Sequence, residues 1–208
     1  METLLKYFPD LPTGQVAQLE QLAELVRDWN ARVNLVSRKD IDALEVHHIL
    51  HSLVIARWIR FVPGTQVLDL GTGGGFPGLP LAVVFPECRF HLVDARGKKV
   101  KAVQDMISQL GLINATAEHV RVEDMSEQCE FVVTRAVAPL DQLIRWTRKR
   151  INPRDRNALP NGIIALKGGN LNAELEQARK NAYVEVQPVQ QLIDHPYFEG
   201  KVVVYVQR

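Results

Sequence analysis

The sequence predicts an α/β fold: a mostly parallel, doubly wound sheet with a C-terminal antiparallel strand and an N-terminal helical extension. Three observations carry this. From Gln66 onward, short β-branched or apolar runs alternate with helical segments, the pattern of strands joined by crossover helices. A glycine-rich turn, Gly71-Thr72-Gly73-Gly74-Gly75, follows the first of those runs. Everything before that run carries helical periodicity, so the first strand comes late.

The elements follow in order. Residues 13–34 read as a helix, because Val16, Leu19, Ala23, Val26, Trp29 and Val33 recur at three- and four-residue steps and form one apolar stripe. Thr13 is its expected N-cap. A second helix is expected over 40–60, capped by Asp40, with Ile41, Leu44, Ile49, Leu53, Val54 and Trp58 as apolar positions. Pro63-Gly64 breaks the chain and divides it into a helical extension, 1–62, and a sheet domain, 63–208. Strands are expected at 66–70, 90–93, 115–122, 131–133, 162–166, 183–193 and 202–206. Helices are expected at 78–85, 98–110, 140–150 and 170–181. No helical pattern separates the last two strands, so they pair antiparallel. The stretch 152–161, with Pro153 and Pro160 among mixed charges, reads as a loop.

Composition bounds the class. With 208 residues, 46% apolar and 24% charged, the chain can build a core without staples. Cys88 and Cys129 match no CxxC spacing and read as two reduced thiols. No signal-peptide pattern and no membrane-length apolar run is found, so a cytoplasmic protein with no membrane partner is expected. Net charge is +1 and says nothing about partners. Local charge says more: Arg145 to Arg156 holds six basic residues and one acid, and Arg96 to Lys101 holds four basic residues. Such clusters can meet phosphates.

The turn carries the chemistry. In Val67-Leu68-Asp69-Leu70-Gly71-Thr72-Gly73-Gly74-Gly75-Phe76-Pro77-Gly78 a strand delivers the chain to glycines and a helix leaves them. Ligands of open α/β sheets sit at the carboxyl ends of the strands. Gly73, Gly75 and Gly78 fit GxGxxG, and Asp94 follows Gly75 by 19 residues, as in a dinucleotide site. Asp69 two residues before the first glycine, within VLDLGTG, and the late first strand favour S-adenosylmethionine instead. Asp94 suits both cofactors, since a carboxylate accepts from ribose hydroxyls. The acceptor is narrowed by what is missing. Val133 to Pro139 has no Asn/Asp-Pro-Pro-Tyr/Phe element for adenine amino groups, and neither cysteine is placed as a nucleophile. An acceptor that already owns a lone pair, such as guanine N7, needs only positioning.

Six motifs occur in order: Asn34-Leu35-Val36-Ser37; His48-Ile49-Leu50-x-Ser52; Leu68 to Gly73 with Phe76-Pro77-Gly78; Arg121-Val122-Glu123; Thr134-Arg135-Ala136; and Ala165-Leu166-Lys167-Gly168. Together they resemble the RsmG, or GidB, family of bacterial small-subunit ribosomal RNA methyltransferases, over roughly residues 15 to 206. The resemblance implies a Rossmann-like class I methyltransferase fold, S-adenosylmethionine as cofactor, and N7 methylation of one guanine in 16S ribosomal RNA. It implies cofactor contacts from Gly71, Phe76, Val122 and Glu123, and a contact from Arg135 with the cofactor or the target. With the turn reading, the expected cofactor residues are Asp69, Gly71, Gly73, Gly75, Phe76, Asp94, Val122, Glu123 and Arg135. No catalytic acid or base is assigned; Arg135 is a candidate for positioning. Family members commonly carry Asp where this chain has His51. With His47 and His48 it makes a His-His-x-x-His cluster, read as packing or RNA-facing rather than as a metal site. Expected RNA contacts are Arg32, Arg38, Lys99, Arg145, Arg148 and Lys167. The expected partner is 16S ribosomal RNA or the small ribosomal subunit, with no metal, met by a monomer. Other RNA or small-molecule acceptors, or a non-catalytic RNA-binding module on the same fold, stay open.

Overall fold

The computed structural model describes residues 1–208. Seven strands form one sheet: β1 (Gln66–Leu70), β2 (Arg89–Val93), β3 (Ala115–Glu118), β4 (Phe131–Arg135), β5 (Gly162–Gly168), β6 (Val184–Pro188) and β7 (Lys201–Gln207), in the order β3-β2-β1-β4-β5-β7-β6. Neighbours from β3 to β5 pair parallel, and β7 runs antiparallel between β5 and β6. Helices α4 (Gly78–Val84), α5 (Gly97–Gln109), α6 (Leu140–Thr147) and α7 (Asn172–Arg179) lie between strands. Ahead of the sheet come α1 (Glu2–Tyr7), α2 (Thr13–Asn30) and a π-helical turn, Glu45–Leu50, that runs into α3 (His51–Trp58). No helix is long and apolar enough to cross a membrane.

Both faces of the sheet are covered, so its central strands are apolar on both sides. Val67, Phe90, Leu92, Phe131, Val133, Ile164 and Leu166 turn toward one cluster of 40 buried residues, which also holds Leu4, Leu22, Leu53 and Ile55 from the N-terminal helices. Leu68, Leu70, Val132, Ile163 and Ala165 turn to a second cluster of 16, under α6 and α7. The inequality shows where the extension goes: it thickens one face and shares a single core with it. Trp29 Nε1 donates to Asp105 of α5 at 2.7 Å, and Gln18 reaches the Leu110 carbonyl at 3.0 Å.

Element ends depart from the sequence reading for local reasons. Helix α2 stops at Asn30, not residue 34, where the Asn30 side chain accepts from the Leu35 and Val36 N–H groups at 2.8 and 3.0 Å. Thr13 is the first helical residue rather than the cap, and Pro12 precedes it without a side-chain cap. Asp40 caps nothing; its carboxylate accepts from Ser37 Oγ at 2.6 Å and meets His47 Nδ1 at 2.8 Å. β3 ends at Glu118 because its only partner, β2, ends at Val93 opposite it. β6 ends at Pro188, which has no N–H to continue a ladder, and Val189–Gln191 turn as a 3-10 helix. Helix α1 was not foreseen; it is held by Glu45, which accepts the Leu4 N–H at 2.9 Å.

Leu53 is fully buried. Leu53→Ala should cost about 2–5 kcal/mol, and since the extension and sheet share one core, the loss should move a single urea transition. Tryptophan fluorescence and circular dichroism should trace that same transition; separated midpoints would contradict the shared core.

Candidate active site

β1 delivers the chain to the glycine turn at the carboxyl edge of the sheet. Gly71 and Thr72 N–H groups donate to the Val93 carbonyl of β2 at 2.9 and 3.0 Å, so the turn is tied to the neighbouring strand. Gly71 has φ +70°, and a Cβ there would sit 2.5 Å from Val137. Gly73, at φ +59°, has nothing nearer than Lys99 Nζ at 3.8 Å around such an atom. Its surface borders a cleft of about 420 Å³, within the range of small-molecule sites, about 300–1,000 Å³.

The two acids flanking the turn do different work. Asp94 lies on the cleft; one carboxylate oxygen accepts the Gly73 N–H at 2.9 Å and the other the Arg96 N–H at 2.8 Å. Each oxygen keeps a lone-pair direction for an incoming hydroxyl. Asp69 is fully buried and accepts the Gly78 N–H at 2.8 Å. It does not line the cleft, so the expected cofactor contact is corrected: Asp69 braces the turn from behind. Burial pushes its carboxyl up to about 7, against the Thr72 hydroxyl, the Gly78 N–H and the Arg135 charge. Gly75 is corrected likewise; it faces Leu79, 2.4 Å from where a Cβ would stand, and not the cleft.

The other expected cofactor residues converge. Gly71, Gly73, Phe76, Asp94, Val122, Glu123 and Arg135 all line the cleft. Val122 also anchors the smaller core, whereas Glu123 is exposed. Lys99, read from sequence as an RNA contact, lines the same cleft. Trp146 and Val137 also line it and were missed, since neither belongs to a glycine or acid motif. Ala136 lines it too and has φ +53°, the one non-glycine residue in the left-handed region; nothing in its residue type announces that strain.

Arg135, at the end of β4, separates this cleft from a second cavity of about 620 Å³, which it and Ala136 also line. Its guanidinium donates to the His47 carbonyl at 3.1 Å and to His48 Nδ1 at 2.7 Å, and lies over the Phe76 ring at 5.3 Å. Arginine only donates, so His48 must accept and stay neutral. Burial pushes the His48 imidazole down to about 3, and the Arg135 charge adds to that. His51 is also pushed to about 3 by burial. His47 stacks on Tyr197, ring centres 3.8 Å apart. The three histidines thus hold the extension against the site.

Of the expected RNA contacts, Arg32, Arg38, Arg145 and Arg148 are exposed. Lys167 lines the second cavity and is held there by partners within the chain. Its ammonium donates to the Ala138 carbonyl at 2.8 Å and pairs with Glu174, which itself accepts the Leu140 N–H at 2.7 Å. Its charge closes β5 onto α6 and α7.

Comparison with known proteins places this geometry. The family model described as GidB, rRNA small subunit methyltransferase G, matches residues 15–195. A ribosomal RNA small subunit methyltransferase G of Bacteroides thetaiotaomicron is 49% identical over 207 residues, covering 100% of both chains. That of Bacteroides fragilis is 50% identical over 206 residues, covering 99% of each. Among solved structures, a SAM-dependent methyltransferase from Aquifex aeolicus superposes with TM-score 0.58 at 16% identity, covering 82% of this chain and 98% of that one. A ribosomal protein L11 methylase from Lactobacillus delbrueckii subsp. bulgaricus gives 0.57 at 16% identity, covering 76% of each; these two likenesses speak for the fold.

The Asp69 carboxyl has a stability signature. An unfolded aspartate releases its proton near 3.8, whereas the folded one holds it to about 7. The folded chain therefore binds the extra proton across that window, and stability falls as pH rises through it. Asp69→Asn keeps an acceptor for Gly78 and removes the titration. Its stability relative to wild type should rise between pH 5 and pH 8 in urea unfolding; parallel pH profiles would contradict the buried carboxyl.

Proposed function

We propose that this chain, which belongs to the GidB family of rRNA small subunit methyltransferases G, methylates N7 of one guanine in 16S ribosomal RNA. Its cofactor is S-adenosylmethionine, and small-subunit ribosomal RNA is its substrate class. The observation that carries the reading is the cleft at the end of β1: a glycine turn with open space at Gly73, beside an Asp94 carboxylate whose oxygens can still accept. Those residues fit the cofactor. Asp94 would take the ribose hydroxyls, the turn would lie along the amino-acid portion, and Val122 and Glu123 would flank the adenine.

When bound, S-adenosylmethionine would supply an electrophilic methyl carbon on a sulfonium to the N7 lone pair, with the C–S electron pair leaving on sulfur. N7 carries no proton, so no general base is needed. The protein contributes in-line positioning. Arg135, pinned by His47 and His48, fixes the boundary across which the base and the methyl meet. Arg32, Arg38, Lys99, Arg145 and Arg148 supply charge for the RNA backbone. The chain works as a cytoplasmic monomer on this reading.

Three outcomes check it. Asp94→Ala should lower affinity for S-adenosylhomocysteine about 10- to 100-fold in calorimetry, the loss of hydrogen bonds to a charged group at about 1.5–3 kcal/mol. Unchanged affinity would remove Asp94 from the cofactor site. Methyl label from S-adenosylmethionine should enter small subunits prepared without this enzyme, and not large subunits. Binding to those small subunits should weaken steeply between 50 and 200 mM salt, by about 10³ or more if six or more phosphates are contacted; salt-insensitive binding would contradict the charged surface.

A further inference from the structure

The second cavity runs along the same sheet edge as the cofactor cleft, and three strands place its wall. β4 ends at Arg135 and β5 at Gly168, and β7, being antiparallel, begins alongside, with Gly168 opposite Lys201. Strands lie about 4.8 Å apart, so the wall from Arg135 to the turn before β7 spans about 10 Å, room for one planar base. Most polar groups on this wall are committed. Asp40 accepts from Ser37 and His47 at 2.6 and 2.8 Å, and Lys201 Nζ sits over the Tyr197 ring at 4.1 Å. His51 holds a buried Nε2 with no partner. Glu199, in the turn before β7, is exposed, lines the cavity, and its carboxylate makes no hydrogen bond or ion pair within the chain.

A free carboxylate beside a site that receives a polyanion works against attraction for phosphate. Its use there lies in hydrogen bonding. An ionised carboxylate only accepts. Among the RNA bases, guanine alone presents two adjacent donors, N1–H and N2–H₂, on its Watson–Crick edge, and that edge faces away from N7. Enzymes that act on a base take it out of the stack and read that edge.

We infer that this cavity takes the acceptor base flipped from its strand. Glu199 accepts from guanine N1–H and N2–H₂ while N7 faces the Arg135 boundary. The assignment rests on the guanine-N7 reading above. Glu199 is then a specificity-determining residue: adenine in the same pose sets its N1 lone pair against the carboxylate and is rejected.

The test uses small subunits carrying guanosine or inosine at the methylated position. Inosine keeps N1–H and lacks the 2-amino group. Wild-type kcat/KM should fall about 10- to 100-fold on inosine. Glu199→Ala should lose a similar factor on guanosine and then show no further penalty on inosine. Glu199→Gln, which exchanges one acceptor oxygen for a donor, should behave like Glu199→Ala. S-adenosylhomocysteine affinity should stay at the wild-type value in both variants, which separates a lost base contact from a folding defect. Wild-type rates on guanosine, or a full inosine penalty in Glu199→Ala, overturn the assignment. If the wild-type protein leaves guanosine unmethylated, the proposed function fails and this assignment with it, and the wild-type arm alone shows that.

Discussion

Arg135 brings into the junction of two cavities a charge that an arginine does not give up, and its neighbours are arranged around that charge. Two donors leave its guanidinium for the extension, one to the His47 carbonyl and one to His48 Nδ1. The second requires a neutral imidazole, and burial holds His48 neutral. The π-helical turn that carries both histidines continues directly into α3. Arg135 therefore ties the end of β4 to the helical extension and, through Phe76, to the glycine turn. Moving it would loosen all three at once.

Around that anchor, similar residues divide the labour by burial. Asp69 lies one residue before the end of β1 and Asp94 directly follows β2, and each accepts a backbone N–H, Asp69 from Gly78 and Asp94 from Gly73. Asp69 does so in full burial with its proton held up to about 7, and shapes the turn from inside. Asp94 does so at the surface of the cleft, with acceptor capacity left for a ligand. Lys99 and Lys167 divide likewise: Lys99 reaches the cleft, whereas Lys167 is tied to Glu174 and the Ala138 carbonyl.

Much of this was legible in the residues. Strand and helix order follow from apolar periodicity, and the antiparallel end follows from the missing helix between β6 and β7. The glycine turn, Asp94, Val122, Glu123 and Arg135 could be named from motifs and do converge on one cleft. What escaped depends on tertiary partners. The end of β3 is set by the length of β2, α1 by Glu45 far along the chain, and the fate of Lys167 by a glutamate on the next helix. That Asp69 faces the interior and Asp94 the cleft depends on where each strand stops relative to the turn. The left-handed Ala136 carries no sign in its residue type.

On this proposal, two adjoining cavities at one sheet edge join a methyl donor to a ribosomal guanine. Mass mapping of 16S ribosomal RNA from cells with and without this gene tests it most directly. One 7-methylguanine should disappear without the gene and return when the wild-type gene is restored. An unchanged map, or a methyl lost from another atom or another base, would contradict it.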